Sequence, residues 1–226
     1  MLSNAEEKKE YFNRYWQTRH LASADARSIQ RTDLVSTFLS PDKGEKILDV
    51  GCGRGLLLKR LSRIGYHVSG CDISSETIGP LVGEGYNVFL CDLENDPLPR
   101  KYDVILCLEV LQQVFDPIRL LEKLKSGLYR GGRLIVSVPN EFHLSSRLKL
   151  LGGRSHLGHF DESHLRLFSP VRAIEMFNRT GLTVERMIPV PIIPPGWTGA
   201  QAIGHALAQL HPGLFSLSQI YALRIR

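Results

Sequence analysis

Residues 46–55 read Lys-Ile-Leu-Asp-Val-Gly-Cys-Gly-Arg-Gly, an apolar run that meets an acid and then breaks on three glycines. Such a run predicts a buried strand from Lys46, and the leucine spacing of LLLKRLSRIG behind it predicts a helix ending near Gly65. Outward from this unit the alternation repeats. HVSGCDI (67–73) is a second strand, SSETIGPLVGEG a weak helix with Ser74 as its candidate N-cap, and YNVFL (86–90) a third strand. YDVILCLEV (102–110) is a fourth and RLIVSVPN (133–140) a fifth. Between these two, Asp116-Pro117 supplies an N-cap and a proline at the first helical position for IRLLEKLKSGL. Short strands separated by helices imply parallel pairing and right-handed crossovers. The expected fold is therefore α/β, a doubly wound sheet with its ligand site at the strand carboxyl ends.

After Asn140 the period is lost. Residues 141–168 read as an insertion or loop of glycines and histidines with one short apolar cluster. Ser169-Pro170 then opens another helix, LTVERMIPV is a sixth strand, and SQIYALRIR alternates well enough for a seventh. The proline-rich PVPIIPPGW (189–197) cannot be a central strand and must be a loop, an edge or a surface contact.

The chain has 226 residues, which allows one substantial domain, here 45–226, preceded by a helical cap over 1–44. With 43% hydrophobic and 23% charged residues, neither disorder nor a fibrous fold is credible. No window approaches the roughly 18 consecutive apolar residues of a membrane span, and MLSNAEEKKE lacks the apolar stretch of a signal peptide. A cytoplasmic protein is expected. Cys52, Cys71, Cys91 and Cys107 lie in or beside apolar runs without metal or redox spacing, so they read as small buried hydrophobes, and no metal site is expected. The net charge of +5 divides into +1 over 1–44, 0 over 45–140 and +4 over 141–226. Six of the eight histidines also lie after residue 140, so an anionic partner would be met there.

The candidate chemistry lies in the glycine loop and two acids. Asp49-Val50-Gly51-Cys52-Gly53-Arg54-Gly55 joins the first strand to the first helix, where amides can receive an anionic group. A dinucleotide fingerprint would need its third glycine one position later, where Leu56 stands, which disfavours a dehydrogenase; the GxxxxGK[ST] phosphate loop is absent as well. Asp72 ends the second strand nineteen residues after Gly53, near the distance at which an acid meets ribose hydroxyls, and Asp92 ends the third. Three acid-bearing strand ends on one edge favour an adenosine site.

ILDVGCGRG, CDIS, CDLE, YDVILCLEVLQQV and GGRLIVSVPN together resemble the ordered motifs of the class I S-adenosylmethionine-dependent methyltransferases, across roughly residues 45–140. The resemblance implies a Rossmann-like sheet of seven strands, mostly parallel with the last antiparallel. S-adenosyl-L-methionine is then the expected cofactor. It implies that Gly51, Cys52, Gly53 and Gly55 line the methionine part, that Asp49 orients its amino group, and that Leu108 lies beside it. Asp72 and Ile73 would meet the ribose, and Asp92 and Leu93 the adenine. The chain is similar to the small-molecule branch, the quinone-biosynthesis and natural-product tailoring enzymes. That branch often carries E-x-L-E-H-V after strand four, where this chain has Glu109-Val110-Leu111-Gln112-Gln113-Val114. The later His164-Leu165-Arg166-Leu167-Phe168-Ser169 is similar to its H-x-R-x-F-[ST] segment, and YFNRYWQTR to its aromatic cofactor-covering helix, although such a stripe is also ordinary core packing.

A methyl transferred from a sulfonium is already activated. Positioning therefore outweighs base catalysis, at on the order of 7 to 11 kcal/mol against roughly 3 to 5.5. A hydroxyl acceptor would still gain from a base. His164 comes first, followed by His143 and His159, although surface histidines of a polar loop are the plainer reading of each. Arg147, Lys149 and Arg154 beside Leu148, Leu150 and Leu151 suit an anionic or lipid-like acceptor, or peripheral membrane contact, or simply a solvated helix. No nucleic-acid partner is expected, because no [DN]PP[YFW] and no Pro-Cys follow strand four. The alternative function is a cofactor-binding accessory protein that regulates a partner enzyme. Oligomeric state has no signature in the sequence.

Overall fold

The computed structural model describes residues 5–18, 26–40, 42–153, 164–194 and 196–226, with backbone alone at 5, 26, 27 and 198. Two helices, α1 (Ala5–Thr18) and α2 (Ala26–Ser36), precede β1 (Lys46–Val50), α3 (Leu56–Arg63), β2 (His67–Asp72), α4 (Ser75–Gly83) and β3 (Val88–Leu90). Then come β4 (Tyr102–Leu108), a 3-10 turn (Leu111–Gln113), α5 (Pro117–Ser126), β5 (Leu128–Pro139) and α6 (Leu144–Leu151). The chain closes with α7 (Pro170–Arg179), β6 (Leu182–Pro191), α8 (Thr198–Leu210), α9 (Pro212–Phe215) and β7 (Ser216–Ile225).

The strands form one seven-stranded sheet in the order β3-β2-β1-β4-β5-β7-β6. β3 to β5 pair in parallel, and β7 lies antiparallel between β5 and β6. This is the doubly wound arrangement expected, last strand antiparallel included. Alternate residues of each central strand feed opposite faces. Leu48, Ile105, Val136 and Tyr221 pack under α5 and α7 with Leu121, Leu124 and Phe177, while Ile47, Leu106, Ile135 and Ile220 pack under α2 and α3 with Val35, Leu58 and Leu61. Burial on both faces explains why these strands are continuous apolar runs.

Asp116 caps α5, its side chain accepting from the Arg119 amide at 3.0 Å. Ser169 caps α7 in the same way through Arg172. Ser74 stands at the N-cap of α4 as expected, but its hydroxyl makes no capping bond and donates instead to Asn13 Oδ1 of α1 at 2.7 Å. The fourth strand stops at Leu108, two residues early, since Glu109 adopts a left-handed φ of 57° that no strand continues. The segment read as a loop contains α6, and α8 has no counterpart in the sequence reading. The prolines of 189–191 lie in β6, at the sheet edge, where missing N–H donors cost least.

Candidate active site

The loop after β1 is built on positive φ at Gly51 (67°), Gly53 (52°) and Gly55 (73°). A Cβ at Gly51 would come within 2.6 Å of Val110 Cγ2, and one at Gly53 within 2.9 Å of Trp16 Cζ2. Only bare backbone fits between the end of β4 and α1. Asp72, buried at the end of β2, accepts from the amides of Gly53 and Ser74, both at 2.9 Å, and so staples the β1 and β2 loops together. Each carboxylate oxygen keeps acceptor capacity for a pair of vicinal hydroxyls. Burial raises the Asp72 carboxyl, opposed by the amides of Ser74, Gly53 and Ile73.

Asp49 is pushed up to about 7, first by burial, next by the charge of Asp72, with Arg31 pulling it down. Two buried acids against one guanidinium leave this edge short of positive charge, a deficit that a ligand ammonium fits. Cys52 is buried beneath the loop, and burial followed by Asp49 and Asp72 raises its thiol, so it stays neutral and inert. Asp92 organises its own turn, accepting from Glu94 N at 2.9 Å and Asn95 Nδ2 at 2.7 Å, while Leu93 is buried beside it. Ile73 and Leu108 are half-buried at their strand ends.

Successive turns of α1 hold these loops. Lys8 pairs with Glu94 at 2.5 Å, Asn13 receives Ser74, and the indole of Trp16 rests on Gly53 while its carbonyl accepts from Arg54 at 2.5 Å. Of the aromatic stripe, Trp16 lies against the glycine loop, while Phe12 is buried in the core.

Two residues escaped the sequence reading. Arg31, from α2, reaches Glu109 Oε1 at 3.5 Å as well as influencing Asp49, and so places a cation beside the ends of β1 and β4. Nothing local marks it, because it lies fifteen positions before the start of β1 in a segment of weak pattern. Glu109, strained at the end of β4, is held by Ser137 Oγ (2.7 Å to Oε1) and by Gln112 Nε2 (2.9 Å to its carbonyl). Non-glycine residues in such a conformation persist where surrounding structure over-determines them, and they concentrate at functional sites.

The acceptor side lies over β4 and β5. Glu141 follows β5, is buried, and accepts from Phe168 N through Oε2 at 2.9 Å. Its Oε1 faces His164 Nδ1 at 3.6 Å. Leu165 N donates to the Gln112 carbonyl at 2.8 Å, so the 164–168 segment sits against the turn after β4. His143 is buried at the start of α6, its ring nitrogens at 3.0 and 3.1 Å from the hydroxyls of Ser145 and Ser146. His159 and Arg154 lie outside the described residues. Among the described residues, no group of three His, Cys, Asp or Glu is placed to hold a metal ion.

A family model described as "Methyltransferase domain" matches residues 16–186. The ubiquinone biosynthesis O-methyltransferase of Aeromonas salmonicida (strain A449) is 28% identical over 162 residues, covering 67% of this chain and 68% of that one. The protein of the same name from Xylella fastidiosa (strain 9a5c) is 34% identical over 130 residues, covering 54% and 52%. The chain thus spans about half to two thirds of the length of these relatives. Among solved structures, magnesium protoporphyrin IX methyltransferase from Synechocystis PCC 6803, crystallised with SAH, superposes with a TM-score of 0.67 at 19% identity, covering 99% of this chain and 100% of that one, which shows a shared fold. S-adenosylmethionine is the cofactor that this family uses. With a family model spanning most of the chain on this doubly wound sheet, the chain belongs to the class I S-adenosylmethionine-dependent methyltransferases.

Proposed function

We propose that the protein moves a methyl group from S-adenosylmethionine to a hydroxyl oxygen of a small molecule. The observation that carries this reading is the cross-tied edge of β1 and β2, where Asp72 joins the Gly53 and Ser74 amides under the roof of Trp16. When bound, the cofactor supplies an electrophilic methyl group on sulfur. The chain's own residues do the rest. Asp72, Asp92 and Leu93 hold the nucleoside, Asp49 and Arg31 orient the amino-acid end, and α1 keeps water from the cradle. His164 is the acceptor-side base; His143, whose two nitrogens meet serine hydroxyls, suits a packing role better.

The relatives named O-methyltransferases favour oxygen as the attacked atom, and nothing in the fold or the relatives favours an accessory protein. On this reading residues 1–44 act as a cap and 141–168 as the acceptor-side insertion. The exposed Leu148, Leu150 and Leu151 beside Arg147 and Lys149 on α6 support an acceptor with an apolar, lipid-like or anionic part, and contact with a membrane surface. No helix among the described residues is long and apolar enough to cross a membrane. Four unpaired, buried cysteines support a reducing compartment such as the cytoplasm. The test is incubation of the purified chain with S-adenosylmethionine and a panel of catechols and hydroquinones of increasing alkyl length, read by mass spectrometry. A methyl ether should form, and capture of cofactor without turnover of any hydroxyl, amine or carbon acceptor would overturn the reading.

A further inference from the structure

We propose that Glu141 is the positioning residue of the acceptor base: it holds His164 as the Nδ1–H tautomer, leaving Nε2 bare to take the proton of the acceptor hydroxyl. The proposal rests on the methyl-transfer reading above and deepens it.

Its ground is a pinned segment and two buried atoms that face each other. Residues 164–168 are clamped at both ends. At the far end Glu141 N donates to the Phe168 carbonyl at 3.3 Å while Phe168 N donates to Glu141 Oε2 at 2.9 Å. At the near end Leu165 N and Arg166 N both donate to the Gln112 carbonyl, at 2.8 and 3.3 Å. His164 stands at the start of this segment, its side chain 13% exposed, whereas that of Glu141 is 4% exposed. Glu141 Oε1 and His164 Nδ1 are buried without a hydrogen-bond partner, 3.6 Å apart.

That distance is too long for a hydrogen bond, yet a buried oxygen left unpaired costs on the order of 1 to 3 kcal/mol. A carboxylate that keeps one oxygen on a backbone amide and aims the other at an imidazole is placed to gain once that ring acquires charge. Catalytic hydrogen bonds are often long in the resting state and tighten when the reaction site fills. Because an ionised carboxylate only accepts, the ring nitrogen facing it carries the hydrogen and the opposite nitrogen keeps its lone pair.

Among the described residues, the polar groups of the turn after β4 and of α6 are engaged elsewhere. Gln112 is uncharged and spends its amide on Glu109, Arg166 is turned onto the Phe115 carbonyl, and His143 faces Ser145 and Ser146. Gln113, on the turn after β4, has no titratable group to offer. In the step itself the acceptor O–H bond breaks, its proton goes to Nε2, and its electron pair stays on oxygen to form the bond to the methyl carbon. The sulfur keeps the pair of the bond it loses.

The experiment compares H164Q, E141Q and the double variant in the full chain. Calorimetric binding of S-adenosylhomocysteine at wild-type affinity checks that each is folded. In H164Q, kcat for a hydroxyl acceptor should fall about 10²- to 10³-fold, and the proton-linked limb of the wild-type pH profile should vanish. E141Q should lose roughly tenfold in kcat with acceptor KM little changed, and the double variant should be no worse than H164Q, because Glu141 acts only through the ring. Long-range nitrogen NMR on the resting enzyme should show His164 as the Nδ1–H tautomer in the wild type and a mixture in E141Q. Additive losses, an unchanged pH limb in H164Q, or an Nε2–H tautomer in the wild type would each overturn the proposal. Should E141Q fail to fold, H164Q and the wild-type NMR spectrum still decide it. Failure of the function itself is distinguishable: the wild type would then turn over no acceptor at all.

Discussion

The two halves of the sheet's carboxyl edge are built differently. Over β1, β2 and β3 the acids are engaged by backbone, Asp72 by Gly53 and Ser74 and Asp92 by Glu94, and α1 ties one loop to the next. Over β4 and β5 the opposite holds: Gln112 Oε1, Glu141 Oε1 and His164 Nδ1 are buried without partners. The difference follows from what each half must hold. On the proposed function, a cofactor of fixed shape is met by a cradle assembled in advance, whereas the Glu141–His164 pair tightens only when the acceptor site fills.

The largest test of this division is Asp72→Ala. It deletes the acceptor of two backbone amides together with the proposed nucleoside contact, and each buried amide left unpaired costs on the order of 1 to 3 kcal/mol. Affinity for S-adenosylhomocysteine should drop about 10²- to 10³-fold by calorimetry; an unchanged Kd would place the nucleoside elsewhere.

Asp49→Asn is expected to have a smaller effect that depends on pH. Burial raises the folded carboxyl to about 7, so protonation stabilises the unligated fold below roughly pH 4, and that contribution is lost as pH rises through about 7. At an upper bound of about 4 kcal/mol, wild type should lose stability as pH rises from about 4 to about 7, relative to Asp49→Asn, in denaturant unfolding. Cofactor binding should show the converse. Wild-type affinity should strengthen as pH rises through about 7, because the ammonium favours the ionised acid, and the variant should bind more weakly with a flatter profile. Parallel pH curves for the two proteins would remove Asp49 from the cradle.

Leu151→Lys should do least. Leu151 is 83% exposed at the end of α6, so stability should change by no more than about 0.5 kcal/mol and cofactor Kd not at all, with any effect confined to acceptor KM. A loss of cofactor affinity here would dissolve the division between the halves.

The legible half was the one with local signals. Apolar runs, glycine punctuation and strand-terminal acids occupy adjacent positions, so β1 to β5 and Asp49, Asp72 and Asp92 follow from spacing. What escaped is carried by distant or inverted signals. The buried stripe of α8 includes Gly204 and Ala208, and a Cβ at Gly204 would lie 2.9 Å from Ile193 Cδ1. The residue that lets this helix dock is the one that reads as a helix breaker. α6 buries little besides Ser146, so it has no apolar stripe to find. Arg31 and Glu141 act across the fold, one toward β4 and the other toward a segment over twenty residues away, and no spacing rule reaches them.

The borders of the sheet carry a consequence for behaviour in concentrated solution. β3 offers only three residues along one border, and β6 along the other carries Pro189 and Pro191, which have no amide hydrogens to donate. The first gives a stray strand little to pair with, and the second interrupts its ladder at the prolines. Strand addition is discouraged at the short β3 border and at the end of β6 that carries the two prolines.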